Sequence, residues 1–259
     1  MKSSFNIGLI LSLLLSATIV SGQHARFTTE GSIEFEKSVN MHAQIKRMIN
    51  KNNEAFYTPA FDQYKKSQPQ FKTMKSTLSF SKDKTLYMPV ATEPAPRSFF
   101  SDLPAANQHS IIYTDLSASK STAQKNVYEE LFLVSDSTRK INWKLTSETR
   151  DIAGYSCRRA NALIMDSIYV VAFYTDEIPV SGGPESFTGL PGMILGVALP
   201  HENITWFAKI VHDKAPPAGT ITPPKKGKVT TTEGLVNTLK NALKNWGDYA
   251  QTQLKAYLL

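Results

Sequence analysis

The stretch GYSCRRANALIMDSIYVVAFYT, residues 154–175, decides the fold class. Its second part, 167–175, is dense in β-branched and aromatic residues (Ile168, Tyr169, Val170, Val171, Phe173, Tyr174). That composition suits a central strand. Residues 154–164 form a second extended segment, and Asp166 beside Ser167 supplies the turn chemistry between them. The pair predicts an antiparallel hairpin, and the segments on either side extend the same pattern.

Upstream, Ile141, Trp143 and Leu145 alternate with polar residues across 139–152. Ile33, Phe35, Val39 and Met41 alternate across 32–41 in the same way, which is the signature of a half-buried strand. Leu78 and Phe80, then Leu86 and Met88, flank the turn-forming SKDKT and predict a hairpin over 74–88. Residues 110–116, 127–134 and 203–211 are further short strands. Residues 42–70 read as a helical or irregular excursion ending near Pro69, and Pro89, Pro94, Pro96 and Pro104 mark 89–108 as a loop. After the strands comes APPAGTITPPKKGK (215–228), an exposed linker. Finally Leu235, Leu239, Ala242, Leu243, Trp246, Ala250, Leu254 and Tyr257 recur at helical spacing over 231–259, behind a Thr231 or Thr232 cap. Packing on the sheet explains this helix best, although Lys240, Lys244 and Lys255 also suit a membrane-surface face.

The expected architecture is α+β: a mostly antiparallel, twisted, partly closed sheet covered by a C-terminal helix. It forms one domain over 23–259, with core strands in 30–212, a linker at 213–230 and the helix at 231–257. Composition agrees. The chain has 259 residues, 41% hydrophobic and 20% charged, with 13 Gly, 14 Pro and one Cys. Disordered, collagenous and disulfide-scaffold classes are thereby excluded.

Residues 1–22 (MKSSFNIGLILSLLLSATIVSG) read as a secretory signal peptide. Lys2 is their only charge, the apolar run Ile7–Leu15 is too short to span a bilayer, and Val20 and Gly22 suit the cleavage site. No Cys follows for lipidation, so the expected location is the periplasm or the extracellular space, with no transmembrane segment in the mature chain. The net charge of +7 is modest. Its densest part, Lys225, Lys226 and Lys228, lacks interleaved aromatics, so no nucleic-acid partner is expected.

No familiar catalytic set is present. His24, His42, His109, His201 and His212 are scattered, no pair has the helical spacing of a zinc site, and there is neither a phosphate-cradling glycine loop nor a G-x-S-x-G elbow. No metal and no cofactor is expected. Glu129–Glu130 and Asp176–Glu177 are adjacent pairs that diverge on a strand. Cys157 cannot form an internal disulfide. Arg158 and Arg159 would activate its thiol if they were near in space, but a small buried hydrophobe is the better reading. Asn203-Ile204-Thr205 is a glycosylation sequon only in a host that glycosylates.

The segment FYTDEIPVSGGPESFTGLPGMILGVAL (173–199) crowds glycine, proline and apolar residues together. Leu190-Pro191-Gly192-Met193 fits a type II turn, with Pro191 presetting the second position and Gly192 supplying positive φ at the third. Such a segment is either a packed crossover or the rim of a groove. In the second case Phe187, Gly189, Leu190, Pro191, Gly192, Met193 and Ile194 are the candidate binding residues.

Gly189-Leu190-Pro191-Gly192-Met193-Ile194 resembles the hexapeptide that names the GLPGLI family of exported proteins of the Bacteroidota. Other words of that pattern match in order: Gly154, Tyr155 and Cys157; then Tyr174, Ile178 and Pro179; then Gly183 and Pro184. Met193 stands for the second leucine of the hexapeptide, Phe173 for the usual tryptophan, and Gly196 for an often longer residue. The resemblance implies export, a sheet-and-helix fold similar to periplasmic lipoprotein carriers, and no established catalytic residues. The expected function is a non-catalytic periplasmic or cell-envelope protein that binds a lipophilic or peptide-like partner. Two alternatives stand beside it: a hydrolase or transferase using Cys157, a histidine or a carboxylate pair, and an assembly factor beside an outer-membrane transporter.

Overall fold

A computed structural model describes residues 27–91, 99–107 and 110–259. The signal-peptide segment 1–22, His24, His109, Pro94 and Pro96 lie outside the described residues.

The strands β1 (Glu30–Asn40), β2 (Phe71–Ser81), β3 (Lys84–Pro89), β4 (Ser110–Asp115), β5 (Lys120–Val127) and β6 (Glu130–Ser137) form one meander. A second meander consists of β7 (Lys144–Ile152), β8 (Tyr155–Ile164), β9 (Ile168–Thr175), β10 (Met193–Leu199) and β11 (Ile204–His212). Antiparallel pairing of β1 with β11 fuses the two, with Ile33 opposite Val211. The short β12 (Lys228–Thr230) adds to β6 in parallel and completes an open 12-stranded sheet with β12 and β7 at its edges. The mostly antiparallel sheet with helical cover is therefore the observed fold.

The 154–175 hairpin is present as β8 and β9. Met165 and Asp166 at its turn have φ of 49° and 56°. Positive φ at consecutive turn residues matches the twist of the flanking strands. β9 is buried over most of its length, as a central strand should be. In β1 the alternation also holds, with Ile33, Phe35 and Val39 inward.

Several elements differ from the sequence reading. β10 lies inside the segment read as a glycine- and proline-rich crossover. It is buried on both faces, so it shows no polar alternation. The expected strand over 127–134 straddles a turn, where Tyr128 has a φ of 55°. β5, with the polar sequence KSTAQKNV, precedes that turn. Residues 42–70 hold two helices, α1 (Met41–Met48) and α2 (Glu54–Ser67). Asn40 caps α1, its side-chain oxygen accepting from the Ala43 amide.

The C-terminal helix is interrupted. α3 (Thr232–Ala242) and α4 (Asp248–Leu258) are separated by a break containing Gly247 at a φ of 54°. Leu235, Leu239, Leu243, Leu254 and Tyr257 stay buried, whereas Trp246 falls in the break and is 45% exposed. The Thr231 hydroxyl accepts from the Gly234 amide at 3.1 Å and caps α3. The Thr232 amide donates to Asp136 at 3.1 Å and ties that helix to the end of β6. Among the described residues no helix is long and apolar enough to cross a membrane.

Candidate functional site

The glycine- and proline-rich segment is core, with little of it on a rim. Phe187, Leu190, Gly192, Met193 and Ile194 are buried, and only Gly189 and Pro191 of the hexapeptide region face outward. The type II turn is not formed: positive φ falls on Gly189, at 94°, and not on Gly192. Gly192 is required for a different reason. A β-carbon there would lie 2.0 Å from the carbonyl oxygen of Thr175. The remaining motif residues serve the same knot. Met193 N–H donates to Ile178 O at 3.0 Å, Ile194 N–H to Gly182 O at 2.8 Å, and Phe187 N–H to Pro184 O at 3.2 Å. Tyr174, Gly183 and Pro184 are buried, Pro179 is exposed, Tyr155 is half-buried, and Gly154 forms the β7–β8 turn with a φ of 86°. The Phe173 ring lies under the guanidinium of Arg150, 5.8 Å from its centroid.

Cys157 is completely buried. Burial, reinforced by Glu177, pushes its thiol up to about 12. Thiolate chemistry near neutral pH is therefore not open to this residue. Glu129, Glu130, Asp176 and Glu177 are all exposed. His212 pairs with Glu34 at 3.0 Å on the surface. Among the described residues no group of three or more His, Cys, Asp or Glu could hold a metal ion.

Cationic side chains that the sequence reading did not select gather on the inner face of the sheet. Lys37 of β1 is buried, donates to Asn107 O at 2.9 Å and lies 5.2 Å from the Trp206 ring centroid. Lys125 of β5 donates to Tyr257 O at 3.0 Å. Arg139, just beyond β6, donates through Nη2 to Leu258 O. The carboxylate that faces this group is Glu185, which comes from the glycine- and proline-rich segment, is itself buried, and accepts from Tyr87 Oη at 3.5 Å.

These groups border two spaces that share Lys125 in their walls. Lys37, Lys125, Glu185 and Trp206 enclose a chamber of about 20 Å³, the size for one water molecule. Lys125 also borders a cleft of about 330 Å³ under α3 and the end of α4. Ile112, Ala123, Val134 and Leu235 make its apolar wall, while Arg139, Lys125, Lys140 and Ser186, with the carboxylate of Asp136 among them, make its polar side.

The electrostatics are unbalanced. Burial pushes Lys125 down to about 8; Glu185 opposes the shift, and Arg139 and Lys37 add to it. Lys37 is lowered mainly by burial, with Glu185 opposing. Burial lowers Arg139 as well. Its Nη1 is buried and meets no acceptor among the described residues. A buried guanidinium nitrogen with no acceptor is costly. An anion placed at this point would satisfy it and relieve the repulsion between Arg139 and Lys125.

Residues 163–196 match a family described as "Protein of unknown function (Porph_ging)". The matched span runs from the end of β8 through β9 and the glycine- and proline-rich segment into β10. No curated protein matches the chain. Similar solved structures include one described as "Structure of PNGF-II in P21 space group", 18% identical over 84% of this chain, with a TM-score of 0.48. Another, "Structure of PNGF-II in C2 space group", is 16% identical over 88% of this chain, with a TM-score of 0.47. The chain spans about a third of the length of each, 33% in both cases.

Proposed function

We propose that this is a non-catalytic binding protein of the bacterial cell envelope, of GLPGLI type, which takes an amphipathic anion in the cleft beneath its C-terminal helices. The apolar tail lies against Ile112, Ala123, Val134 and Leu235, and the anionic head meets Arg139 and Lys125. The observation that carries this reading is the buried, unpaired Nη1 of Arg139 on the wall of that cleft. A concave site with apolar walls and a few placed polar groups is the usual form of a small-molecule pocket. Export rests on the signal-peptide pattern of residues 1–22 and on the family resemblance around Gly189–Ile194.

The test is calorimetric titration with decanoate, with 1-decanol as the uncharged control. Saturable binding of decanoate at least tenfold tighter than that of 1-decanol is expected, a difference of about 1.4 kcal/mol. In Arg139→Met that preference should disappear while the fold persists. Equal binding of the acid and the alcohol by the wild-type protein, or no binding of either, would refute the proposal.

A further inference from the structure

A second cleft lies at the break between α3 and α4, away from the cationic group. It has a volume of about 610 Å³ and is bordered by the loop that joins α1 to α2 and by residues 245–249. The residues that shape its chemistry are Tyr57, Trp246 and Tyr249 together with Asn50, Asn52 and Asn245. None of the described residues that line it is charged.

The aromatic part is preorganised. Trp246 stacks on Tyr249 with an interplanar angle of 15° and a centroid separation of 5.8 Å. Tyr128 packs against the same indole at 6.1 Å. Those neighbours fix the ring while leaving Trp246 45% exposed. The exposed part of the indole is apolar surface left in water, which a ligand packed on it would bury.

The amide part is partly committed and partly open. Asn53 is fully used: its Oδ1 accepts from the Asn50 amide at 2.8 Å and its Nδ2 donates to Met48 O at 2.8 Å. Asn50 Oδ1 accepts from the Asn52 amide at 2.9 Å. These bonds stiffen the loop. The side-chain amides of Asn52 and Asn245 form no hydrogen bond among the described residues. Each therefore offers two donors and an acceptor toward the cleft.

We propose that this cleft binds a neutral saccharide, with one sugar face on the Trp246 indole and its hydroxyls on the amides of Asn52 and Asn245. A pyranose presents a flat patch of C–H bonds on one face and hydroxyls around its rim. Each hydroxyl both donates and accepts, so it pairs with a carboxamide without any charge transfer. The lack of charged lining residues disfavours phosphates, carboxylates and ammonium ligands, which would lose hydration with no compensating partner. The ring stack needs no sequence-specific geometry beyond an accessible aromatic face.

The experiment is titration of the purified full chain with neutral trisaccharides of glucose, galactose and mannose, followed by indole fluorescence. Trp206 is buried and Trp143 half-buried, so an emission change on binding reports chiefly on Trp246. Saturable binding of at least one trisaccharide is expected. Trp246→Ala, followed by calorimetry because the reporter is lost, should weaken that binding at least tenfold; Trp246→Phe should retain part of it, and Asn245→Ala should weaken it severalfold. A second arm uses insoluble polysaccharides of the same sugars. Retention on a polymer that depends on Trp246, without trisaccharide binding, assigns the cleft to polymer chains and supports the proposal. The absence of saturable binding in both arms would overturn it, as would binding unchanged by Trp246→Ala. A preference for charged over neutral saccharides would overturn it too. All of these outcomes are independent of the decanoate result.

Discussion

The ammonium of Lys125 donates to the carbonyl oxygen of Tyr257 at 3.0 Å, joining β5, third from one edge of the sheet, to the last turn of α4 across 132 residues of sequence. The bond is made by a lysine whose burial pushes it down to about 8. Below that pH the folded state carries a buried cation, while the unfolded chain holds its lysine near 10.5. The unfolded state binds more protons between about 8 and 10.5, so this group makes stability rise with pH across that window. Lys125→Met removes this contribution. The variant should therefore gain most over wild type at pH 7, and its advantage should shrink toward pH 10.5 with a slope of up to about 1.4 kcal/mol per pH unit. Urea denaturation of both proteins at several pH values checks this, and a pH-independent difference would contradict it.

Anion binding should follow the same titration. Lys125 is a cation below about 8, so decanoate affinity should fall as pH rises through and beyond that value. In Lys125→Met the fall should be absent over pH 7–9, because Arg139 keeps its charge. Calorimetry at three pH values is sufficient.

Cys157 should behave as an inert core thiol. In the native protein it should resist a thiol-specific disulfide reagent at pH 8 and react stoichiometrically only in denaturant. Its thiol is raised to about 12 from an ordinary 9.0, so above pH 9 the unfolded chain ionises first and this group makes stability fall with rising pH. Rapid native labelling would place the residue at a surface and return it to consideration as a nucleophile.

Gly192→Ala should be severely disruptive although it adds a single methyl group. The new β-carbon would collide with the Thr175 backbone, which belongs to the central β9 and cannot move aside cheaply. A loss of about 3 kcal/mol is expected. A melting temperature within a degree or two of wild type would show that the β9–β10 approach is looser than described.

Trp143→Phe should cost about 1–2 kcal/mol. The indole Nε1 donates to Thr188 O at 2.9 Å, and its loss leaves that carbonyl, in a buried residue, without this partner. Thermal melting is the measurement, and an unchanged midpoint would show that the bond contributes nothing.

The sheet was legible wherever one face meets water, because alternation then survives. β1, most of β2, and β8 follow that pattern, whereas in β3 Thr85, Leu86 and Tyr87 are buried in succession and Met88 faces outward. β10 escaped because burial on both faces erases it, and β5 because its polar letters resemble a loop. The C-terminal helix was legible as a stripe, yet the stripe runs on past Gly247, where the backbone breaks. The cationic group carries a signal in the sequence itself. Lys37 occupies the inward parity of Ile33, Phe35 and Val39, and Lys125 that of Ala123 and Val127. A lysine in register with core residues marks either a partnered charge or a ligand site. Arg139 and Glu185 carried no such periodicity, because both lie outside strands. Cys157 drew attention by being alone, but solitude in sequence says nothing about accessibility.

The seam between the two meanders has a kinetic consequence. Within each meander every strand pairs with its sequence neighbour, so each can zip up locally. β1 and β11 meet only after some 178 residues of chain, from Glu34 to His212, have been looped out. Loop closure of that size is entropically unfavourable and slow to be repaid. Refolding should therefore show two stages in pulse-labelled hydrogen exchange, with amides of β8–β9 and β4–β5 protected early and those of β1–β11 protected late. Under the proposed export, such a late seam would keep the halves separable until the last strand of the seam has emerged.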